Sequence, residues 1–434
     1  MTAEPARSGL AGLLEELRWR GMFHSATPAL ERRLAGGGPL SGYNGFDPTA
    51  ASLHVGHLVP IFGLIHFQRR GGTPFALVGG ATGMVGDPSG RSSERILLGR
   101  DELEANVASI RDQLARFLDF SPGPAQAQLV NNLDWTAAVG VLDFLRDVGK
   151  HFTIPYMLAK ESVQLRLERG LSFTEFSYML LQAFDFQQLY ETRGVELQMG
   201  GADQWGNITA GLELIRRTAD GAGEESEPAH GLAYPLLLTE SGAKFGKTEG
   251  GESVWLDPTW TTPYAFYQYW LNTDDRDVAT YLRWFTLLGR DEIEALEAEQ
   301  AARPEARAAQ RTLARDLSSR VHGGDETARA IELSEAIFSG RLAELSETML
   351  EAAAAELPHA VLSDGSANVL AAAIEAGAYG SKGEARRGIA GGGLYVNDVR
   401  VGDPDEALPE PLHGRFWIVR TGKRNQRILE RGSR

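Results

Sequence analysis

A chain of 434 residues, 43% hydrophobic and 23% charged, can bury a sizeable core and is long enough for about two to four domains. Its formal net charge of -15 excludes a protein coated in basic surface and leaves room only for local basic patches. Without cysteine there is no disulfide framework and no thiolate metal site, and no run approaches the ~18 consecutive apolar residues of a membrane helix.

The first stretch, "GLLEELRWRGMF", spaces Leu13, Leu14, Leu17 and Trp19 as a helix that Gly21 ends. Charges interrupt it throughout, so no secretion signal is read and a cytoplasmic protein is expected. From residue 41 to about 262, short apolar strands such as "PFALVGG" (74–80) and "AQLVNN" (127–132) alternate with helical stretches such as 94–120. That alternation predicts a parallel sheet with crossover helices.

Within it, "GYNGFDPT" gathers Gly42, Gly45, Asp47 and Pro48 and reads as a turn after a strand. The apolar stretch from Leu58 to Phe67 reads as a buried helix. Proline is tolerated only in a helix's first turn, so Pro60 sets where this helix begins. His54, Gly56 and His57 of "HVGHLVP" then lie at a strand-to-helix turn, beside a helix N-terminus that attracts anions. Two other readings of the pair stand beside this one: a metal pair, for which no third ligand lies nearby at suitable spacing, and a satisfied structural pair.

Further along, "GGATGMVGDPSGRSSER" (79–95) is a loop at a strand's carboxyl end, where open α/β sheets bind ligands. Asp87 there could face an amine, and Arg91 and Arg95 phosphates; the alternative is ordinary turn chemistry. In "FSYMLLQAFDF" (176–186), Tyr178, Gln182 and Asp185 share one helical face. A row of phenol, amide and carboxylate amid Phe, Met and Leu makes a poor core stripe, and a polar ligand could satisfy it; a solvated face is the bland alternative. "LQMGGADQWGNI" (197–208) brings Asp203 and Gln204 to another strand end. The polar stretch 219–231 reads as a surface loop. "LTESGAKFGKTEGG" (238–251) is a basic loop whose Lys244, Lys247 and Thr248 suit phosphates, or else an exposed hairpin tip.

The pattern is helical over 263–355. Residues 291–358 carry 15 acidic and 7 basic residues, whereas 411–434 carry 7 basic and 1 acidic. A linker is expected at 356–367. From 368 the tail reads as a unit of its own, with helical "ANVLAAAIEAGAY" and strand-like "GLYVNDVRV" and "RFWIVR".

Taken together, these motifs resemble the bacterial tyrosyl-tRNA synthetases, a family of class I aminoacyl-tRNA synthetases. "HVGH" is similar to the HIGH signature and "KFGKT" to the KMSKS-type loop; "YNGFDPTAASLHVGHL", "GGATGMVGDPSGR", "YMLLQAFDF" and "GGADQWGNI" follow the tyrosine-specific members in order and spacing. The resemblance implies an α/β fold with a Rossmann-like catalytic domain at 41–262 after an N-terminal helix and connector at 1–40. It implies a helical anticodon-region domain at 263–355. The tail, 368–434, resembles the small α+β RNA-binding module shared with ribosomal protein S four.

The implied chemistry is tyrosine activation by ATP, accompanied by Mg²⁺, and transfer to tRNA(Tyr), with no organic cofactor. Tyr43 and Asp185 would hold the phenolic OH of tyrosine; Asp87, Tyr178 and Gln182 its α-ammonium group. Asp47, His54, Gly56, His57, Asp203 and Gln204 would line the ATP site, with Asn44 at a ribose position that varies in the family. Thr49, His54, Arg91, Arg95, Lys244, Lys247 and Thr248 would clasp pyrophosphate. Lys382, Arg386 and Arg387 would meet RNA phosphates. Family members are homodimers, so a second copy is an expected partner. A non-catalytic RNA-binding paralogue would be expected to lose the signature motifs, and a tryptophan-activating enzyme would lack the Tyr43–Asp185 pair.

Overall fold

A computed structural model describes residues 9–87, 99–160, 163–164, 170–218, 228–238, 245–246, 251–362, 368–422 and 425–432. Arg91, Arg95, Lys244, Lys247 and Thr248 lie outside these residues. The chain divides into two compact units, residues 1–261 with 273–313, and residues 262–272 with 314–434. The helical segment expected over 263–355 is therefore shared between them rather than forming a block of its own.

The first unit is built on a six-stranded sheet in the order β1-β6-β5-β2-β3-β4. The strands are β1 (Ser25–Ala26), β2 (Ser41–Phe46), β3 (Thr73–Val78), β4 (Gln128–Asn131), β5 (Val195–Gly201) and β6 (His230–Tyr234). β2 to β6 run parallel, and β1 closes one edge antiparallel to β6. The helices Leu58–Arg69, Arg100–Leu114, Phe173–Arg193 and Trp205–Thr218 lie between successive strands. This is the expected Rossmann-like parallel sheet, with β3 and β6 buried on both faces as such sheets require. Strand order reverses between β2 and β5, and the crevice at their carboxyl ends is where open α/β sheets take ligands.

Two local expectations change. "GYNGF" is the central strand β2 itself, not a turn following one. Gly42 is there for packing: a Cβ would sit 3.2 Å from the Phe67 ring and 3.3 Å from Leu197. The loop read at 219–231 is shorter on its carboxyl side, because His230 and Gly231 already belong to β6. Other elements follow the sequence reading. Gly21, in the left-handed region at φ 77°, ends the Leu13–Arg20 helix. Pro60 stands in the first turn of Leu58–Arg69, preceded by a single 3-10 turn at Val55–His57. The helices Val278–Phe285 and Arg290–Ala302 complete this unit. The side chain of Arg20, only 4% exposed, ties the first helix to them by donating to the carbonyls of Arg283, Thr286 and Leu288.

The second unit has a five-stranded sheet, β7-β11-β10-β8-β9. Its strands are β7 (His359–Leu362), β8 (Leu394–Val396), β9 (Val399–Arg400), β10 (Phe416–Thr421) and β11 (Asn425–Arg431). β10 alternates with period two and buries both faces. Phe416 and Ile418 pack with Leu333, Leu345 and Leu350, while Trp417 and Val419 pack with Val369, Ala385 and Ile389. The tail therefore shares a core with the preceding helices instead of standing as a unit of its own. The expected linker likewise contains β7, which pairs parallel to β11. "GLYVNDVRV" is not one strand but a hairpin, turned by Asn397 and Asp398 at φ 50° and 65°, the left-handed pair that tight hairpins select. No described helix is long and apolar enough to cross a membrane.

Candidate active site

A cavity of about 470 Å³ opens at the β2/β5 crevice. Its walls include Tyr43, Asp47, Thr49, His54, Gly56, His57, Asp87, Tyr178, Gln182, Asp185, Asp203 and Gln204. All twelve candidate residues of the first unit that the structure describes thus meet in one place. Asn44 lines it too, although its amide donates to the Pro60 carbonyl at 3.2 Å. A volume of this size suits a small-molecule site.

One end is deeply buried. Asp185, from the Phe173–Arg193 helix, is 2% exposed. Its Oδ2 accepts from Asn132 Nδ2 at 2.8 Å and its Oδ1 from the Trp135 indole N–H at 2.9 Å. Burial pushes its carboxyl up to about 7; the two donors pull it down, and the Asp47 charge adds to the rise. Tyr43, on β2, is equally buried, and its phenolic oxygen has no hydrogen-bond partner among the described residues. Burial first, and the Asp185 charge second, hold that phenol well above its ordinary pKa, so it remains an O–H donor. An unpartnered buried phenol and a buried carboxylate lining the same cavity call for a ligand group that both accepts and donates, and a hydroxyl does both.

The middle is a hydrogen-bond chain. Asp87, 7% exposed, accepts from Gln204 Nε2 at 2.7 Å; Asn207 Nδ2 donates to the side-chain oxygens of Gln204 at 3.1 Å and Gln182 at 3.0 Å. Tyr178 is tied elsewhere, donating to Asp47 Oδ2 at 2.9 Å, while Thr82 donates to Asp47 Oδ1 at 2.9 Å. Asn132 Nδ2 reaches Thr82 Oγ1 at 3.1 Å and joins this network to Asp185.

The other end is the turn at His54–His57. Gly56 N–H donates to His54 Nδ1 at 3.0 Å, and the His54 backbone N–H to His57 Nδ1 at 3.1 Å. With both Nδ1 atoms accepting, each neutral ring carries its proton on Nε2 and can donate from there. The rings lie 4.1 Å apart. Gly56 proves to be glycine for the sake of His54: a Cβ would fall 2.7 Å from the His54 ring. The described part of the basic loop, Phe245 and Gly246, sits against the same turn. A Cβ on Gly246 would lie 3.2 Å from Val55 and its φ is 87°, and the Val55 and Val254 N–H groups bond to Val254 O and Gly246 O in sequence. Phe245 itself lines the cavity and stacks on Phe285. The residues flanking this pair, Lys244 and Lys247, lie outside the described residues.

Sequence reading missed Thr82, Asn132 and Trp135, which hold the carboxylates, and Asn207, which holds the two glutamines. Asn132 follows β4 in a strand-end position that could have flagged it; nothing in the local pattern marks the others. In the second unit, Lys382, Arg386 and Arg387 are exposed on the Lys382–Ala390 helix, whose Ala385 and Ile389 face the core. Ser381 caps that helix by accepting from Glu384 N–H.

Known proteins resemble this chain over most of its length. A family model described as tRNA synthetases class I (W and Y) matches residues 36–339, and one described as the tyrosine--tRNA ligase SYY-like C-terminal domain matches residues 349–429. The tyrosine--tRNA ligase of Anaeromyxobacter dehalogenans (strain 2CP-C) is 52% identical over 97% of this chain and all of its own length. That of Geobacillus stearothermophilus is 50% identical over 96% of this chain and 99% of its own. Among solved structures, a C-terminally truncated Aspergillus nidulans mitochondrial tyrosyl-tRNA synthetase is 32% identical with a TM-score of 0.68, covering 75% of this chain and 94% of that one. The chain belongs to the class I tRNA synthetases of the W and Y type, on their tyrosine--tRNA ligase branch.

Proposed function

We propose that this chain activates L-tyrosine with ATP to tyrosyl-adenylate and then transfers tyrosine to the 3′-terminal adenosine of tRNA(Tyr), in the cytoplasm. The observation that carries the reading is the pairing, inside one cavity, of the unpartnered Tyr43 phenol with the buried Asp185 carboxylate. Tyr43 O–H would donate to the substrate's phenolic oxygen, and Asp185 would accept the substrate's O–H. Asp87, Gln182 and Tyr178 would surround the α-ammonium group.

The substrate carboxylate is already a nucleophile, so no general base is required. Its oxygen attacks the α-phosphorus of ATP, the bond to the bridging oxygen breaks, and pyrophosphate leaves with the electron pair. Catalysis then rests on positioning and on stabilising charge on the departing phosphates. His54 and His57 supply Nε2 donors for this, His54 nearer the leaving phosphates and His57 nearer the nucleotide. Thr49, Arg91, Arg95, Lys244, Lys247 and Thr248 would clasp pyrophosphate, with Asp47, Gly56, Asp203 and Gln204 along the nucleotide. Mg²⁺ enters with ATP as part of the substrate. In the second step a ribose hydroxyl of the tRNA attacks the carbonyl carbon and AMP leaves.

ATP–pyrophosphate exchange with tyrosine, tryptophan and phenylalanine tests the assignment. Tyrosine-dependent exchange supports it; equal exchange with tryptophan, or none with any of the three, overturns it. We assign tRNA contact to Lys382, Arg386 and Arg387. Truncation at residue 368 would strip Phe416 and Ile418 from the helices they pack on, so charge removal is the cleaner probe. Replacing all three by Ala should lower tRNA charging about tenfold or more and flatten its salt dependence, while leaving exchange intact. A homodimer is also proposed, supported by Val141, Leu142 and Leu145, exposed at 71%, 77% and 51% on one short helix. Sedimentation of Leu142→Asp against the unaltered chain tests it.

A further inference from the structure

The active-site reading leaves unused a second cavity of about 330 Å³ in the first unit, bounded by the Val278–Phe285 and Arg290–Ala302 helices and the start of Ala308–His322. At the ~30 Å³ share of one water in the liquid, it has room for about ten water-sized groups. Val278, Ala279, Leu282, Ala301, Pro304 and Ala309 give it apolar walls. Its polar end is formed by Asp275, Glu297 and Gln300. Asp275 Oδ1 takes the amide N–H groups of Gln300 at 2.8 Å and Gln310 at 2.6 Å. Each glutamine thereby gives one of its two amide N–H groups to Asp275. The side-chain oxygens left over, Gln300 Oε1 and Gln310 Oε1, are buried without a partner, the two residues being 9% and 0% exposed. Gln300 lines the cavity beside Asp275 and Glu297, and Glu297 is already paired with Arg283.

A buried carbonyl oxygen without a partner is costly to leave so, and the polar end calls for a donor. Asp275 is exposed at the cavity's rim and its two side-chain donors are neutral amides, so its charge is open to an incoming cation. A ligand that suits both the walls and this end carries several N–H donors, a positive charge and an aliphatic chain. We propose that this cavity binds a small aliphatic ammonium compound, its head against Asp275 and Gln300 Oε1 and its chain along Val278, Leu282 and Pro304.

The test uses the full chain, titrated calorimetrically with n-butylamine, 1,4-diaminobutane and the neutral analogue n-butanol. The amines should bind at least tenfold more tightly than butanol, at one site per chain. Asp275→Asn, which keeps the shape but removes the charge, should abolish that preference. Ala279→Leu, which fills the cavity without altering any charge, should remove amine binding altogether. Tyrosine-dependent exchange should be unchanged in both variants, which reports that they fold. Equal binding of amine and alcohol overturns the proposal. So does amine binding that survives Ala279→Leu, because that marks diffuse attraction to an acidic protein, and so does failure of any amine to bind.

Discussion

The two ends of the active-site cavity solve opposite problems. At the proposed tyrosine end a carboxylate is buried and must be held ionisable for a neutral hydroxyl, so Asp185 is wrapped in two fixed donors, Asn132 and Trp135. At the proposed nucleotide end the incoming group would bring its own charge. There the protein spends no buried ion; it presents two imidazoles whose Nδ1 atoms are occupied by backbone N–H groups of a single turn. On the proposed reading, selectivity would rest on desolvation at one end, and rate on preorganised donors at the other.

The sharpest way to break this contrast is Asp185→Asn. The amide offers one acceptor to two donors and carries no charge, so tyrosine kcat/KM should fall about 10²-fold or more while the KM for ATP moves little. Exchange kinetics with both substrates varied measure it, and equal losses would erase the distinction between the ends. The converse test is at His54. His54→Ala removes the Nε2 donor and the acceptor for Gly56 N–H together, whereas His54→Asn can keep the turn capped. Both should lower kcat by about 10- to 100-fold with tyrosine KM nearly constant, and only Ala should also lower the thermal midpoint. Full activity in His54→Asn would show that the imidazole matters for the turn alone.

The contrast also explains what could be read from the residues in order. The nucleotide end is a run of adjacent residues, and Pro60 alone fixes where its helix starts; glycine at 56, however, reads as room for a ligand until the His54 ring is seen folded over it. The Tyr178–Gln182–Asp185 row is legible because three polar residues share a face that should be apolar. The shell behind them is not. Thr82, Asn132 and Trp135 come from the single-turn helices Thr82–Met84 and Leu133–Thr136 and the N-cap of the second, too short for any periodicity to mark them, and their value exists only once β2, β3 and β4 lie side by side. β6 was hidden because five buried residues without charge follow directly on a polar loop, and β7 because a short strand in a parallel pair carries no local turn signal. The two-faced burial of β10 likewise depends on helices far from it in sequence.

If that shell is what positions Asp185, removing one donor should act through it. Trp135→Phe keeps most of the ring volume and leaves Oδ1 of Asp185 short of its N–H. The expected loss is about tenfold in tyrosine KM, with kcat and ATP KM unchanged, and the carboxyl should titrate higher than in the parent chain. A drop confined to kcat would assign the indole to the reaction itself.

The smallest effect is in pH. Burial raises the Asp185 carboxyl from 3.8 to about 7 in the folded chain. Through that interval the folded chain holds a proton that the unfolded chain has released, so this group makes stability fall as pH rises, and the loss is complete above about 7. Asp185→Asn has nothing to titrate there. The variant should therefore gain stability relative to the parent between about pH 4 and pH 7, by up to a few kcal/mol. Over the same interval tyrosine KM in the parent should improve severalfold, as the carboxylate that accepts the substrate O–H becomes ionised. Unfolding midpoints of both chains across that range decide it. A gap that stays constant with pH would mean the carboxylate is ionised throughout, and the tyrosine end would then work by ordinary ion placement rather than by desolvation.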